Sequence, residues 1–320
     1  MDRTSTFNFA TLDVFTTQRF AGNPLAVVEV PADSSLPQDQ KQLIAREFNF
    51  SETVFLHEAT EDSSERRVDI FTPTEELPFA GHPTIGTACY VLAAASTSAK
   101  SQAVTILTKA GTIGATYNAG CALAEIPHNV HFHEARADWT DLSRMQPAQV
   151  YDKLLEQHEA LMGCNQSFPV ISIVKGMTFV LINFPNVADY LDILQVGGPG
   201  LTPAGRLLDE DWKPSFVAPY FYVILEDDGS QSTRVRARMI DPTVGEDPAT
   251  GSAACTLSAY LALQAGGAGK LYRYSIEQGV EMGRSSQIGV EVKLDQTGKG
   301  VESVALSGSA ILVTKGTLSV

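Results

Sequence analysis

The stretch Phe79-Ala-Gly-His-Pro-Thr-Ile-Gly-Thr-Ala-Cys-Tyr-Val-Leu92 has a partial echo at Asp247-Pro-Ala-Thr-Gly-Ser-Ala-Ala-Cys-Thr-Leu257. Both copies follow Pro-x-x-Gly-[Ser/Thr]-Ala, from Pro83 to Ala88 and from Pro248 to Ala253, a period of 165 residues in a chain of 320. Solenoid units repeat every 20 to 50 residues or so, so this spacing points instead to two similar half-chains.

Each copy opens a helix-like run. Ile85, Ala88, Cys89 and Leu92 fall at i, i+3, i+4 and i+7, and Ala254, Leu257 and Leu261 repeat that spacing, so both helices should be largely buried. Pro83 and Pro248 suit the first helical position, which would make His82 and Asp247 the cap residues. Alternatively the Gly-Thr and Gly-Ser pairs open each helix a turn later. Either way glycine, a hydroxyl and backbone N–H groups meet at a helix start, which attracts a carboxylate or another anion. In half-chains that face one another, His82 and Asp247 would approach one cleft.

Composition narrows the function classes. With 23 Lys plus Arg against 37 Asp plus Glu, the formal charge of −14 argues against a broad nucleic-acid footprint, which needs a basic surface. The opening Met-Asp-Arg-Thr-Ser-Thr-Phe-Asn-Phe lacks a secretory signal, and no run approaches eighteen strongly apolar residues, so no membrane contact and a cytoplasmic location are expected. Cys89, Cys121, Cys164 and Cys255 form no Cys-x-x-Cys pair, which leaves a zinc site or disulfide framework little support. Cys89 and Cys255 sit in the apolar helix runs and read as small core residues.

Along the chain, residues 7–15 and 25–30 read as strands around a Phe20–Pro24 turn, and Gln38–Phe48 as a helix with Leu43, Ile44 and Phe48 facing inward. The strand Phe50–Leu56 carries Glu52 among residues expected near a core. Such a carboxylate either points out from an edge strand or accepts backbone bonds, or it is partly buried with a pKa raised toward neutrality, which suits a general base. Arg67–Phe71 is a further strand, Glu75 and Glu76 read as solvated, and strands at 104–109, 111–117 and 122–126 finish the first half. His128, His131 and His133 are closely spaced, but strand alternation puts only 131 and 133 on one face and no nearby cysteine completes a set, so no metal site is expected. The second half reads as helices at 148–162 and 186–194, strands at 170–174, 178–184, 216–226 and 234–239, the second motif with its helix, and strands at 272–277, 288–294 and 301–313. Gly197-Gly-Pro-Gly200 is a turn that lacks a dinucleotide-binding context.

Ser51-Glu52-Thr53, Glu76-Leu-Pro-Phe-Ala-Gly-His-Pro-Thr-Ile-Gly86 and Gly245-Glu-Asp-Pro-Ala-Thr-Gly-Ser252 together resemble the phenazine-biosynthesis PhzF-like family. Gly22-Asn-Pro24 and Gln278-Gly-Val-Glu-Met-Gly-Arg284 add to the match, which spans residues 7 to about 315. The resemblance implies an α+β fold related to diaminopimelate epimerase, with two pseudo-symmetric domains, each a curved, barrel-like, mostly antiparallel sheet around a central helix, and the active site in the cleft between them. The domains expected are 1–126, with a strand from about 304–320 possibly returning to it, and 127–303.

Carried over by motif, Glu52 resembles the family's acid/base glutamate, and His82 and Asp247 the two groups that assist proton movement. Asn23 belongs to the same pattern, and Gly81, Gly251 and Ser252 resemble positions that hold a substrate's polar end. Arg284 is placed to orient a carboxylate or close the pocket, although Ser285 stands where many members have proline. Family epimerases use two opposed cysteines; here Gly81 and Asp247 stand near those places, so a two-cysteine racemase is not expected. The implied function is a cofactor-independent isomerase acting by proton transfer on a small carboxylate-bearing metabolite, with an amino- or hydroxy-acid epimerase and a non-catalytic metabolite-binding protein as alternatives. A homodimer is also implied.

Overall fold

The computed structural model describes residues 5–59, 64–95, 102–156, 167–184, 189–201, 204–227, 232–242 and 244–320. Cys164 and the parts of the expected helices at 157–162 and 186–188 lie outside the described residues. The chain forms two compact units, residues 1–126 with 305–320, and residues 127–304.

The first unit is built on strands β1 (Thr6–Val14), β2 (Asn23–Val30), β3 (Glu52–His57), β4 (Glu65–Phe71), β5 (Glu76–Leu77), β6 (Gln102–Thr108), β7 (Gly111–Asn118) and β8 (Cys121–Glu125). Its helices are α1 (Gln38–Phe48) and α2 (Gly81–Ala95). β1–β2 is antiparallel, β2–β3 parallel and β3–β4 antiparallel, the short β5 joins β4, β4–β6 is parallel, and β6–β7 and β7–β8 are antiparallel. The end of the chain returns to this unit. Ala305–Gly308 pair with β8, and the last strand runs antiparallel to β1 with Thr6 opposite Ser319.

Helix α2 touches β1, β2, β3, β6, β7 and β8, so the sheet curves around it. Residues 81–89 are all buried, which leaves no polar face and explains why the apolar residues are not confined to one stripe. On the other face of the sheet α1 packs Ile44 and Ala45 against Phe7, Val28, Phe55 and Phe71. Covered on both faces, β2 carries an unbroken run from Leu25 to Val28 that is fully buried. The expected inward face of α1 is corrected in one respect. Leu43 is 59% exposed, and the buried residue of that turn is Lys41. Its ammonium reaches Asp69 at 2.5 Å, and Asp69 also takes a 2.8 Å bond from His57. An ion pair here offsets the cost of burying charge.

The second unit repeats this plan. Its strands are β9 (His131–Phe132), β10 (Val170–Val174), β11 (Met177–Asn183), β12 (Phe216–Asp227), β13 (Ser232–Asp241), β14 (Gly245–Asp247), β15 (Leu271–Gln278) and β16 (Ser286–Leu294). From β10 onward the pairings are antiparallel, parallel, antiparallel, a short antiparallel addition, parallel and antiparallel, the same order as from β1 to β7. The helices here are α3 (Trp139–Met145), α4 (Ala148–Glu156), α5 (Asp189–Asp192) and α6 (Gly251–Ala265). The 165-residue motif repeat therefore marks a repeat of topology. α6 packs on β10, β11, β15 and β16, while α3, α4 and α5 cover other side chains of the sheet through Leu142, Val150, Leu154 and Leu191.

The strand expected over 301–313 is two strands, β17 (Val301–Gly308) and β18 (Ala310–Ser319). The break at Ser309 lets its carbonyl accept the backbone N–H of Phe15, at 2.7 Å. Among the described residues no helix is long and apolar enough to cross a membrane.

Candidate functional site

In the first unit Glu52 opens β3, between β2 and β4, so it stands on an interior strand and not on an edge. The parallel register sets Glu52 beside Leu25, near the start of β2, where Asn23 is buried. Ser51 Oγ donates to Asn23 Oδ1 at 3.3 Å, tying these two segments together. From the first turn of α2, buried His82 places Nδ1 3.3 Å from Glu52 Oε2. The structure thus brings Asn23, Glu52, Gly81 and His82 together at the end of one helix.

The electrostatics of Glu52 follow from this placement. Its side chain is 16% exposed, and Oε2 takes no hydrogen bond among the described residues. Burial removes water that would stabilise the carboxylate, and a hydrogen bond from Ser51 restores part of that loss. The balance pushes the pKa up to about 7. A group poised there accepts and returns a proton near neutral pH.

In the second unit Asp247 ends β14 and the chain turns through Pro248-Ala-Thr250 into α6. Asp247 is held by a network centred on Gln278, the last residue of β15. Gln278 Nε2 donates to the Asp247 carbonyl at 2.8 Å and to Thr250 Oγ1 at 2.9 Å. Its Oε1 accepts from Tyr220 OH at 3.0 Å and from the Thr250 N–H at 3.2 Å. Thr250 Oγ1 in turn donates to Asp247 Oδ2 at 2.7 Å. All four positions of a buried amide are satisfied, so its orientation is fixed.

Two further contacts brace this motif. Buried Arg238 on β13 grips Glu246, the neighbour of Asp247, through Nε and Nη2 at 2.8 and 2.7 Å. A planar fork on a carboxylate adds direction as well as strength. Gly279 has φ +76°, and a Cβ there would lie 2.7 Å from the Pro248 carbonyl oxygen, so only glycine lets this turn lie against the motif. The same turn carries Arg284, whose N–H donates to the Gly279 carbonyl at 2.8 Å. Gly251 and Ser252 form the first turn of α6.

The cap expectations are corrected. α2 begins at Gly81, so His82 and Pro83 already lie inside its first turn, where proline's missing N–H has no intrahelical partner to lose. α6 begins at Gly251, the later of the two alternatives, so Asp247 lies on a strand and Thr250 stands at the cap position. Glu76 is not solvated: it belongs to β5 and bonds Lys109 and Gln38. Gln278, Thr250, Tyr220 and Arg238 were missed as positioning residues. Gln278 and Thr250 lie in or beside the quoted motifs, but nothing in the sequence pairs them with Tyr220 or pairs Arg238 with Glu246.

Comparison with known proteins covers the whole motif set. The family model described as phenazine biosynthesis-like protein, PhzC-PhzF, matches residues 12–316. The chain belongs to this family. Among its phenazine biosynthesis-like relatives, an uncharacterized isomerase of Mesorhizobium japonicum is 33% identical over 98% of this chain and 99% of that protein. Trans-2,3-dihydro-3-hydroxyanthranilate isomerase of Pseudomonas fluorescens is 30% identical over 97% of this chain and 99% of its own length. A crystal structure of a PhzF-family phenazine biosynthesis protein from Bacillus anthracis has the same fold, with TM-score 0.71 over 99% of this chain and 100% of that one at 20% identity. Every candidate residue from Asn23 to Arg284 lies within the span matched by the phenazine biosynthesis-like family.

Proposed function

We propose that this protein is a cofactor-independent isomerase that moves a proton between two carbons of a small carboxylate-bearing metabolite. The observation that carries this reading is Glu52, a buried carboxyl with a pKa of about 7 and an oxygen with no hydrogen-bond partner among the described residues, beside His82. Names of full-length relatives support the reaction class.

In the proposed step, Glu52 takes a proton from a C–H adjacent to a conjugated system. The bonding pair shifts into that system, and a proton returned by Glu52 or Asp247 at another carbon completes a double-bond shift. One proton leaves and one arrives, so the oxidation level is unchanged and acid and base suffice. His82 steadies the charge that develops, and N–H groups at a helix start, around Gly81 in the first unit or around Gly251, Ser252 and Arg284 in the second, hold the substrate carboxylate. Asn23, through Ser51, orients the segment that carries Glu52.

Proton NMR in deuterated buffer tests the proposal, using a panel of small amino acids, hydroxy acids and dihydroaromatic carboxylates. The wild type is expected to erase one C–H signal of its substrate and to produce an isomer, and E52Q to be slower by about 10²–10⁴-fold. Return of the proton to the same carbon with inversion would identify an epimerase. Binding without exchange at any carbon would overturn the isomerase reading in favour of a metabolite-binding role.

A further inference from the structure

Two closely spaced histidines, His131 on β9 and His133 just past its end, gain a third partner that the sequence does not announce. His131 and His133 stand on one side of their segment, as strand alternation requires. Asp209, distant in sequence, enters between them at the start of the short 3₁₀ helix Glu210–Trp212. Its Oδ2 lies 2.7 Å from His131 Nε2 and 3.6 Å from His133 Nδ1. The three ligand atoms all fall within 4.8 Å of one another.

Each side chain is held from behind. His133 is enclosed, with Nε2 bonded to Ser172 Oγ at 2.9 Å; Ser172 bonds Thr178 at 2.6 Å, and Thr178 bonds Ser215 at 2.7 Å. Its Nδ1 accepts the Asp209 N–H at 3.1 Å, so this pattern puts the ring proton on Nε2 and the lone pair on Nδ1, toward Asp209. His131 lies flat on Trp212, with ring centres 4.3 Å apart and planes 8° from parallel. Asp209 Oδ1 accepts the Glu134 N–H at 3.2 Å, which leaves Oδ2 directed at the imidazoles. Outer partners that fix tautomer and ring orientation are the usual surroundings of metal-binding histidines.

We propose that His131, His133 and Asp209 form a binding site for a divalent transition-metal ion of the zinc, cobalt or nickel type, which would staple β9 to the segment 209–212. Two imidazoles and one carboxylate suit this class better than magnesium or calcium, which favour all-oxygen sets. Tetrahedral zinc would separate its ligand atoms by about 3.3 Å, a value between the two distances to Oδ2, and a ligand-atom pair 4.8 Å apart would close onto the ion by about 1.5 Å. The ion would replace the 3.1 Å amide bond to His133 Nδ1. His131 and Asp209 are 31% and 29% exposed, which gives the ion a path and leaves the remaining coordination positions to solvent. None of the residues assigned to proton transfer takes part.

The test is titration of the purified, tag-free chain with ZnCl₂ by calorimetry, with thermal melts at each zinc concentration and CoCl₂ quenching of tryptophan fluorescence. The wild type is expected to show a site of one ion per chain, a melting temperature that rises with zinc and falls back on chelation, and cobalt quenching that W212F removes. H131Q and D209N, at partly exposed positions and checked for folding by circular dichroism, should each weaken this site at least tenfold, whereas H128Q should not. Absence of zinc uptake by the wild type, or H131Q and D209N titrating like the wild type, would overturn the proposal.

Discussion

Nδ1 of His82 lies 3.3 Å from Oε2 of Glu52, so the first turn of α2 meets the first residue of β3 side chain to side chain. Folded Glu52 keeps its proton up to about pH 7, against an ordinary value of 4.5. Between those values the folded chain binds more protons than the unfolded one, so the contribution of Glu52 to stability is complete below 4.5 and is lost as pH rises through 7. E52Q is therefore expected to be more stable than wild type at pH 8 by up to about 3 kcal/mol, with the difference closing at pH 4.5. Urea denaturation at both pH values checks this, and equal stabilities at pH 8 would contradict the burial of a charged group there.

The same ionisation sets the pH dependence of turnover. If Glu52 acts as the base, kcat/KM rises about tenfold per pH unit on the acid side and levels off near pH 7, because only the carboxylate accepts a proton. A profile already flat from pH 5 would assign the base elsewhere.

Gln278 links Tyr220, Thr250 and Asp247 by four hydrogen bonds. Gln278→Leu would strand these buried partners and is expected to cost about 3 kcal/mol. Thr250→Val removes the hydroxyl that bonds Asp247 Oδ2, at about 1 kcal/mol, and should lower kcat by about 10- to 10²-fold with KM little changed. Steady-state kinetics well below each variant's melting temperature separate the two effects: an unchanged kcat in Thr250→Val would reduce this network to a structural one.

A Cβ on Gly86 would lie 2.4 Å from Leu25 Cδ2 and 2.8 Å from Val14 Cγ2. Gly86→Ala must then push α2 off β1 and β2, at a cost of about 1–3 kcal/mol. Shortening the obstructing side chain in Gly86→Ala/Leu25→Val should return part of that loss. Melting temperatures of Gly86→Ala, Leu25→Val and the double variant make the comparison, and a double variant no better than the sum of its parts would place the strain elsewhere.

Most strands and both central helices were legible because burial leaves a periodic trace, and the motif repeat carried the duplication of topology with it. What escaped depends on pairing across the chain. β5 and β14 are only two and three residues long, too short for any alternation to register. The inward turn of Lys41 in place of Leu43 makes sense only once Asp69 is seen beneath it. Glu52 was ambiguous because an edge strand and an interior strand read alike until β2 and β4 are found flanking β3. The residues that hold Asp247 were hidden for the same reason, since Tyr220 and Gln278 meet only through the fold.

The pairing of β1 with β18 has a consequence for the order of events during synthesis. Strand β1 is synthesised well before β18, so Thr6 finds Ser319 only after the residues between them have emerged. The unit formed by residues 127–304 has all its residues synthesised before β18. The half that is translated earliest is therefore the half that matures last, and until then β1 offers an unclaimed hydrogen-bonding edge to which chaperones or other nascent chains have access.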